Sequence, residues 1–325
     1  MSDPLRIGVL GAGRIAAKAV VAPARDTGFE VAAIAARDYD RAKDYALQHG
    51  IAKAHKDYMA LVEDGSLDAV YVALPPSAHA EWSIAALRAG RNVLVEKPFA
   101  ANADQAEAMV NEAEAAGRVL MEAFHYRYHP LTSRLTTLVA GLGRLHTIEA
   151  VSNVPIPDRS DIRHNPELAG GALMDLGCYP VHLIRTLTGA EPEVVRAEAV
   201  QEVPGVDLSM AATLALPGGG SAEVRCSMAA GPESGGPEIT LTVVGERGRL
   251  HVTNPTLPQA GAEISVDGGA PERADRLPTT FECQLAAFSE ALRGGPAPVT
   301  GGADAVANMR VIDRIYQVSG MAPRV

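Results

Sequence analysis

Apolar residues in the first part of the chain come in short bursts of strand length, each followed by a longer stretch with helical spacing. "RIGVLGAG" begins the series as a strand running into a glycine loop, and "RIAAKAVVAPA" supplies the helix that leaves it. "EVAAIAA" reads as a second strand, and "DRAKDYALQHG" as a helix ended by Gly50. "DAVYVALPP" is a strand stopped by two prolines, with the helix "AEWSIAALRAG" after it. "NVLVEKP", a helix over Ala103 to Ala116 stopped by Gly117, and the strand "RVLMEAF" complete the run. Such alternation predicts βαβ units and a parallel sheet.

After Gly141 the pattern changes. "LHTIEAVSNV", "EVVRAEAVQEV", "DLSMAATLAL", "SAEVRCSMAA", "EITLTVVGE" and "GRLHVTN" are strand-like and separated by Gly/Pro turns, which predicts a large, mostly antiparallel sheet. One helical stretch, "GGALMDLGCYPVHLIRTLTG", interrupts the strands, and two helices over Glu282 to Arg293 and Ala303 to Ser319 close the chain. The change of period divides the sequence into domains at 1–125 and 126–325, with one C-terminal helix free to pack back on the first.

Composition narrows the function classes. At 325 residues with 47% hydrophobic content, the chain can build two cores. With 39 acidic against 29 basic residues and no basic run, it lacks the footprint of a nucleic-acid binder. Cys178, Cys226 and Cys283 have neither CxxC spacing nor a disulfide pattern, which points to a reducing cytoplasm. Leu5 to Val21 is too interrupted, by Gly-Ala-Gly-Arg and Lys18, for a signal peptide, and no apolar run reaches membrane-spanning length.

Chemistry concentrates at strand ends. Gly11, Gly13 and Ala16 form G-x-G-x-x-A between a strand and a helix, the dinucleotide fingerprint, in which glycines let the backbone approach a pyrophosphate at a helix start. Arg14 and Ile15 of the same loop join the expected cofactor contacts. The competing account is a glycine turn with no ligand. At the end of the second strand Ala35 and Ala36 stand where an acid would bond the ribose of NAD, and Arg37 and Arg41 follow one helical turn apart. Two guanidinium groups that converge on one phosphate favour NADP, with NAD as the alternative. Asp38 works against this if it turns inward, and both arginines also suit a solvated surface. Glu96 and Lys97 end the apolar run "NVLV" at the carboxyl edge of the parallel sheet, where open α/β folds bind ligands. Leu74, Pro75 and His79 follow the neighbouring strand and complete the expected cofactor set, with service at the helix start as the alternative for His79.

G-x-G-x-x-A, "EKP" at Glu96-Lys97-Pro98 and "GGALMDLGCY" occur together and in register, and the chain thereby resembles the Gfo/Idh/MocA oxidoreductases over nearly its whole length. "AARDYDRAKDYA", "LMEAFHYRYHP" and "DIRHNPELAGGALMDLGCYP" carry a closer likeness to the branch of dimeric dihydrodiol dehydrogenases, NADP-dependent D-xylose dehydrogenases and glucose–fructose oxidoreductase. The resemblance implies an N-terminal Rossmann domain, a C-terminal α+β domain whose open sheet makes the subunit contact of a homodimer or homotetramer, and substrate between the domains. It also implies a cis peptide before Pro98, and Lys97 at the nicotinamide edge with Glu96 orienting it. A structural Glu-Lys ion pair is the rival account of those charges.

Asp175 and Tyr179, four apart, share a helix face, and His182 falls near it. Many relatives carry Asp-x-x-x-His here; tyrosine in the second place moves proton transfer to Tyr179 or Lys97 and leaves His182 uncertain. Packing by Tyr179 and capping by Asp175 is the alternative. Phe124, Tyr126, Arg127 and Tyr128 suit either a substrate wall or interface packing, and Arg163 suits a substrate hydroxyl. His125 and His129 are spaced like metal ligands without a third, so no metal is expected. The expected activity is hydride transfer between nicotinamide C4 and a hydroxyl or carbonyl carbon of a sugar, polyol or dihydrodiol. A ketoreductase of nucleotide-linked deoxysugars and a non-catalytic NADP sensor are the alternatives.

Overall fold

In the computed structural model, which describes residues 3–229, 235–274 and 278–325, the six N-terminal strands pair as their apolar runs require. They are β1 (Leu5–Leu10), β2 (Phe29–Ala35), β3 (Lys53–His55), β4 (Ala69–Val72), β5 (Asn92–Val95) and β6 (Leu120–Glu122). Their order is β3-β2-β1-β4-β5-β6 and every pairing is parallel. All four residues of β4 are buried, as are Val93, Leu94 and Val95, because a parallel sheet is covered on both faces. The chain steps from β1 to β2 on one side and to β4 on the other, a switch point that leaves a crevice at the carboxyl ends.

The helix ends follow the side-chain chemistry. Asp38 caps Tyr39–His49 by accepting from the Arg41 N–H at 3.1 Å, and Gly50 ends that helix at φ 68°. Asn102 caps Ala103–Ala116 and Gly117 closes it at φ 60°. The stretch expected as one helix after the glycine loop is instead an α turn, Arg14–Ala16, running into a π-helical turn, Ala17–Val21. Strand β3 and the helix Tyr58–Val62 were not expected, nor was Pro130–Gly141, which starts on a proline with His129 accepting from the Leu131 N–H.

The second sheet contains β7 (Leu145–Asn153), β8 (Glu193–Val203), β9 (Val206–Leu216), β10 (Gly220–Ser227), β11 (Glu238–Gly245), β12 (Gly248–Thr253), β13 (Glu263–Val266) and β14 (Glu272–Arg273). Its order is β14-β13-β12-β11-β7-β10-β9-β8, antiparallel except where β10 meets β7 in parallel. The sheet is therefore mixed, with the antiparallel pattern dominant. Ala230, the end of the fourth expected strand, lies outside the described residues. Ala222, Val224, Leu241 and Val243 alternate inward, and the helix Cys178–Thr188 packs on β7 and β10.

The chain forms two compact units. The first runs up to Tyr128 and takes back Phe281–Val306; the second comprises His129–Thr280 and Ala307–Val325. The return is explained by packing: Leu285 and Phe288 share a core with Ile7, Val9 and Ile34, and Phe288 stacks on Phe29 at 5.8 Å. Full burial of one such phenylalanine contributes roughly 1.5–3 kcal/mol. Tyr128 and Thr300 fasten the same segment through a 2.8 Å hydroxyl contact.

Candidate active site

In the first unit the glycine loop closes against β4. Gly11 has φ 104°, and a Cβ there would lie 2.4 Å from the Ala73 carbonyl oxygen, so the protein itself demands glycine. Gly13 differs: a Cβ there would meet no atom within 4 Å. Among the described residues nothing requires glycine at that point, which leaves the backbone there open to close approach from outside. Arg41 donates to the Ala12 carbonyl at 2.8 Å, and Tyr45 to that of Gly13 at 3.3 Å, fixing the loop to the second helix. The Asp38 carboxylate is engaged as the cap of that helix. Arg37 and Arg41 are exposed and both act on the Tyr58 phenol, whose pKa burial raises and the two guanidinium charges pull back. They therefore share one neighbourhood, as a 2′-phosphate site requires.

At the carboxyl edge, Lys97 is the one residue between Val93 and Ala101 that is not buried. Glu96, directly before it, is buried and accepts from the Tyr71 hydroxyl at 2.5 Å. The Lys97–Pro98 peptide is cis. His79 ties the turn to the loop after β4, its Nδ1 lying 2.9 Å from the Pro98 carbonyl oxygen and its Nε2 2.8 Å from that of Leu74. Both carbonyls ask for a donor, but burial opposes a cation and pushes His79 down to about 4, so the neutral ring donates to only one. Burial also pushes His125 down to about 3, with the Lys97 charge adding to the effect. Lys97 thus stands as the accessible cation beside two neutral, buried imidazoles. Pro75 starts the short turn Pro76–Ala78 that leads into the helix bearing His79.

In the second unit, Gly170 and Gly171 lead into a π-helical turn, Leu173–Gly177, which continues as the α-helix Cys178–Thr188. From Ala169 to Arg185 only Asp175 and Tyr179 escape burial. Two polar side chains therefore open from an otherwise sealed segment. Arg163 donates from Nε to Asp175 at 2.6 Å and from Nη1 to Asp161 at 3.0 Å, and the two carboxylates raise its pKa further against the pull of burial. This engagement alters two expectations. Arg163 is an ion-pair partner before it is a ligand for a substrate hydroxyl, and Asp175 does not confront Tyr179 as a bare charge.

The weaker candidates separate on burial. His182 is 1% exposed and Phe124 fully buried, the latter set edge-on to Tyr126 at 6.2 Å; neither opens to solvent in the way Asp175 and Tyr179 do. Arg127 is partly exposed. His125 packs on Phe281 at 4.4 Å, and His129 caps a helix, so their metal-like spacing has structural uses. Among the described residues no three His, Cys, Asp or Glu side chains are grouped to hold a metal ion. Tyr71 and Asp161 were missed as supports. A tyrosine in the centre of a buried strand needs a hydroxyl partner, and that need was the available signal for Tyr71.

Comparison with known proteins points the same way. Residues 5–124 match the model of an oxidoreductase family with an NAD-binding Rossmann fold, and residues 138–251 that of the GFO/IDH/MocA C-terminal domain. A D-xylose 1-dehydrogenase (NADP(+)) of Haloferax volcanii is 38% identical over 96% of this chain and 97% of its own. A 3-ketoreductase from Actinomadura kijaniata, solved with NADP and TDP-benzene, superposes with TM-score 0.88 at 29% identity over 97% of this chain and 98% of that one. An aldose-aldose oxidoreductase from Caulobacter crescentus, solved with glycerol, gives TM-score 0.87 at 27% identity over 99% and 100% of the two chains.

Proposed function

The chain belongs to the Gfo/Idh/MocA oxidoreductase family, and from that premise we propose that it transfers a hydride between C4 of NADP and a hydroxyl or carbonyl carbon of a sugar, polyol or dihydrodiol. The observation that carries this reading is Lys97, a single accessible ammonium in a sealed run at the carboxyl edge of the parallel sheet. Similarity to an NADP(+)-using xylose dehydrogenase over nearly all of both chains supports the cofactor and the substrate class.

NADP, when bound, supplies the carbon that gives or takes the hydride. The loop at Gly11 and Gly13, with Arg14 and Ile15, receives its pyrophosphate, and Arg37 and Arg41 receive the 2′-phosphate. Leu74, Pro75 and His79 border the nicotinamide end, where Glu96 and Tyr71 hold the base of the turn and Lys97 holds a proton at Nζ. Tyr179 holds a proton at its phenolic oxygen, and Arg163 keeps Asp175 neutralised. The likeness to the 3-ketoreductase favours one second reading, reduction of a nucleotide-linked deoxysugar. We also place the enzyme in the cytoplasm, on the spacing of Cys178, Cys226 and Cys283, which has no disulfide pattern, and as a homodimer or homotetramer, on the exposed Val195, Val200 and Val203 of β8. Initial rates with aldoses, polyols, trans-dihydrodiols and nucleotide-linked ketosugars, each with NADP(H) and NAD(H), test the reading. Turnover with a free sugar or diol and preference for NADP(H) are expected; activity confined to nucleotide-linked sugars selects the second reading, and none at all refutes both.

A further inference from the structure

The π-helical turn that bears Asp175 carries no cap of its own: Ala172, the residue before it, offers no side-chain hydrogen bond. A helix start leaves backbone N–H groups without partners inside the helix, and the first of them here, at Leu173, donates 2.7 Å to Oδ2 of Asp207 on β9. Asp207 is 0% exposed and sits hard against the chain leading into the turn. Gly171, at φ 137°, passes so close that a Cβ there would lie 2.1 Å from Asp207 Oδ1. Two side chains from beyond β14 fix the carboxylate in turn. Tyr316 donates its hydroxyl at 2.9 Å and Arg324 its Nη2 at 2.5 Å, both to Oδ1. Arg324 also donates to the Gly205 carbonyl, and its guanidinium lies 4.2 Å from the centre of the Tyr316 ring. Its side chain is only 6% exposed.

We propose that Asp207 is a positioning residue: clamped by Arg324 and Tyr316, it fixes the start of the Leu173–Gly177 turn and through it the aim of Asp175 and Tyr179. The inference rests on the reading above, in which Tyr179 serves the reaction. A carboxylate at a helix start is favourable in itself. A surface carboxylate would serve for that alone. A buried one, anchored on a sheet strand and gripped by a forked cation, adds rigidity of direction, and this matters because displacement of a reacting group by about 1 Å costs about a hundredfold in rate.

The test combines turnover with amide exchange. Arg324→Ala is expected to bind NADPH within about twofold of the parent and to lose about 10- to 100-fold in kcat, with KM little changed. Amides of Leu173–Gly177 should exchange faster. Arg324→Lys, which keeps the charge and loses the fork, should recover part of both, and Tyr316→Phe, which removes one hydroxyl and keeps the ring, should show a smaller loss of both. In a Tyr179→Phe background the Arg324→Ala effect on kcat should shrink, because the part of it that runs through the Tyr179 hydroxyl is gone and only the part through Asp175 is left. Normal kcat and normal exchange in Arg324→Ala and Tyr316→Phe overturn the proposal, as does a full kcat loss that persists in the Tyr179→Phe background. Failure of the underlying reading looks different: Tyr179→Phe alone would then turn over normally.

Discussion

The two segments that present candidate reactive groups are sealed to a similar degree but held in opposite ways. Around Lys97 the supports come from nearby in the fold: Tyr71 on the neighbouring strand donates to Glu96, and His79, at the start of the helix after that strand, lies against the Leu74 and Pro98 carbonyls. The π-helical turn bearing Asp175 depends on distant side chains, with Asp207, Tyr316 and Arg324 converging from separate parts of the chain. A group set by its own strand end is placed by the fold itself. A group set by remote side chains can be tuned or lost by changes that leave the fold intact.

The largest effect expected from this contrast falls on Lys97. Replacing it with methionine should leave the chain folded and cost about 10²- to 10⁴-fold in turnover, whereas a surface ion pair would be worth at most about 1 kcal/mol. Steady-state rates decide between the two accounts. Tyr179→Phe should cost about a hundredfold or more in the hydride-transfer step with NADPH affinity kept; single-turnover absorbance measures it, and a loss confined to substrate affinity would shift the proton work to Lys97. Arg37→Ala should weaken NADPH by about 10- to 150-fold, since charge-assisted hydrogen bonds are worth about 1.5–3 kcal/mol, and leave NADH unchanged. Titration of both cofactors checks this, and equal losses would reject the 2′-phosphate assignment.

The smallest expected effect is on stability. His79 and His125 are held neutral, down to about 4 and about 3, by burial. An unfolded histidine takes up its proton near pH 6.5. Depressed values in the folded state mean that the stability from keeping these rings neutral is complete above about pH 6.5 and is lost as pH falls toward 4. Urea unfolding monitored in the first unit should therefore weaken progressively across that window. His79→Gln, whose amide does not titrate there, should flatten the slope; an unchanged slope would remove His79 from this account.

What the sequence revealed follows the same division. The glycine loop, the arginine pair and "EKP" are local, so their residue types and spacing placed them on strand ends without knowledge of anything distant. The helix over Pro130–Gly141 was missed because it begins on Pro130 with a histidine cap and carries four β-branched residues, none of which announces a helix. Strand β3 has only three residues and too short an apolar pattern to read. "GGALMDLGCYP" showed a helix but not its π-helical turn, since nothing in the side chains of Leu173 to Gly177 distinguishes the wider turn. The pairing of Arg163 with Asp175 was out of reach because only folding brings the two together. The clamp on Asp207 was beyond reach for the same reason, its partners lying 34, 109 and 117 positions away.

The most direct test of the central claim is the rate of hydride transfer in a single turnover, for parent and Lys97→Met enzymes preloaded with NADP(H) and mixed with a substrate found by the panel. The account predicts fast appearance or loss of reduced nicotinamide absorbance in the parent and a rate slower by about 10²- to 10⁴-fold in Lys97→Met with cofactor still bound. Equal rates in the two proteins would contradict it.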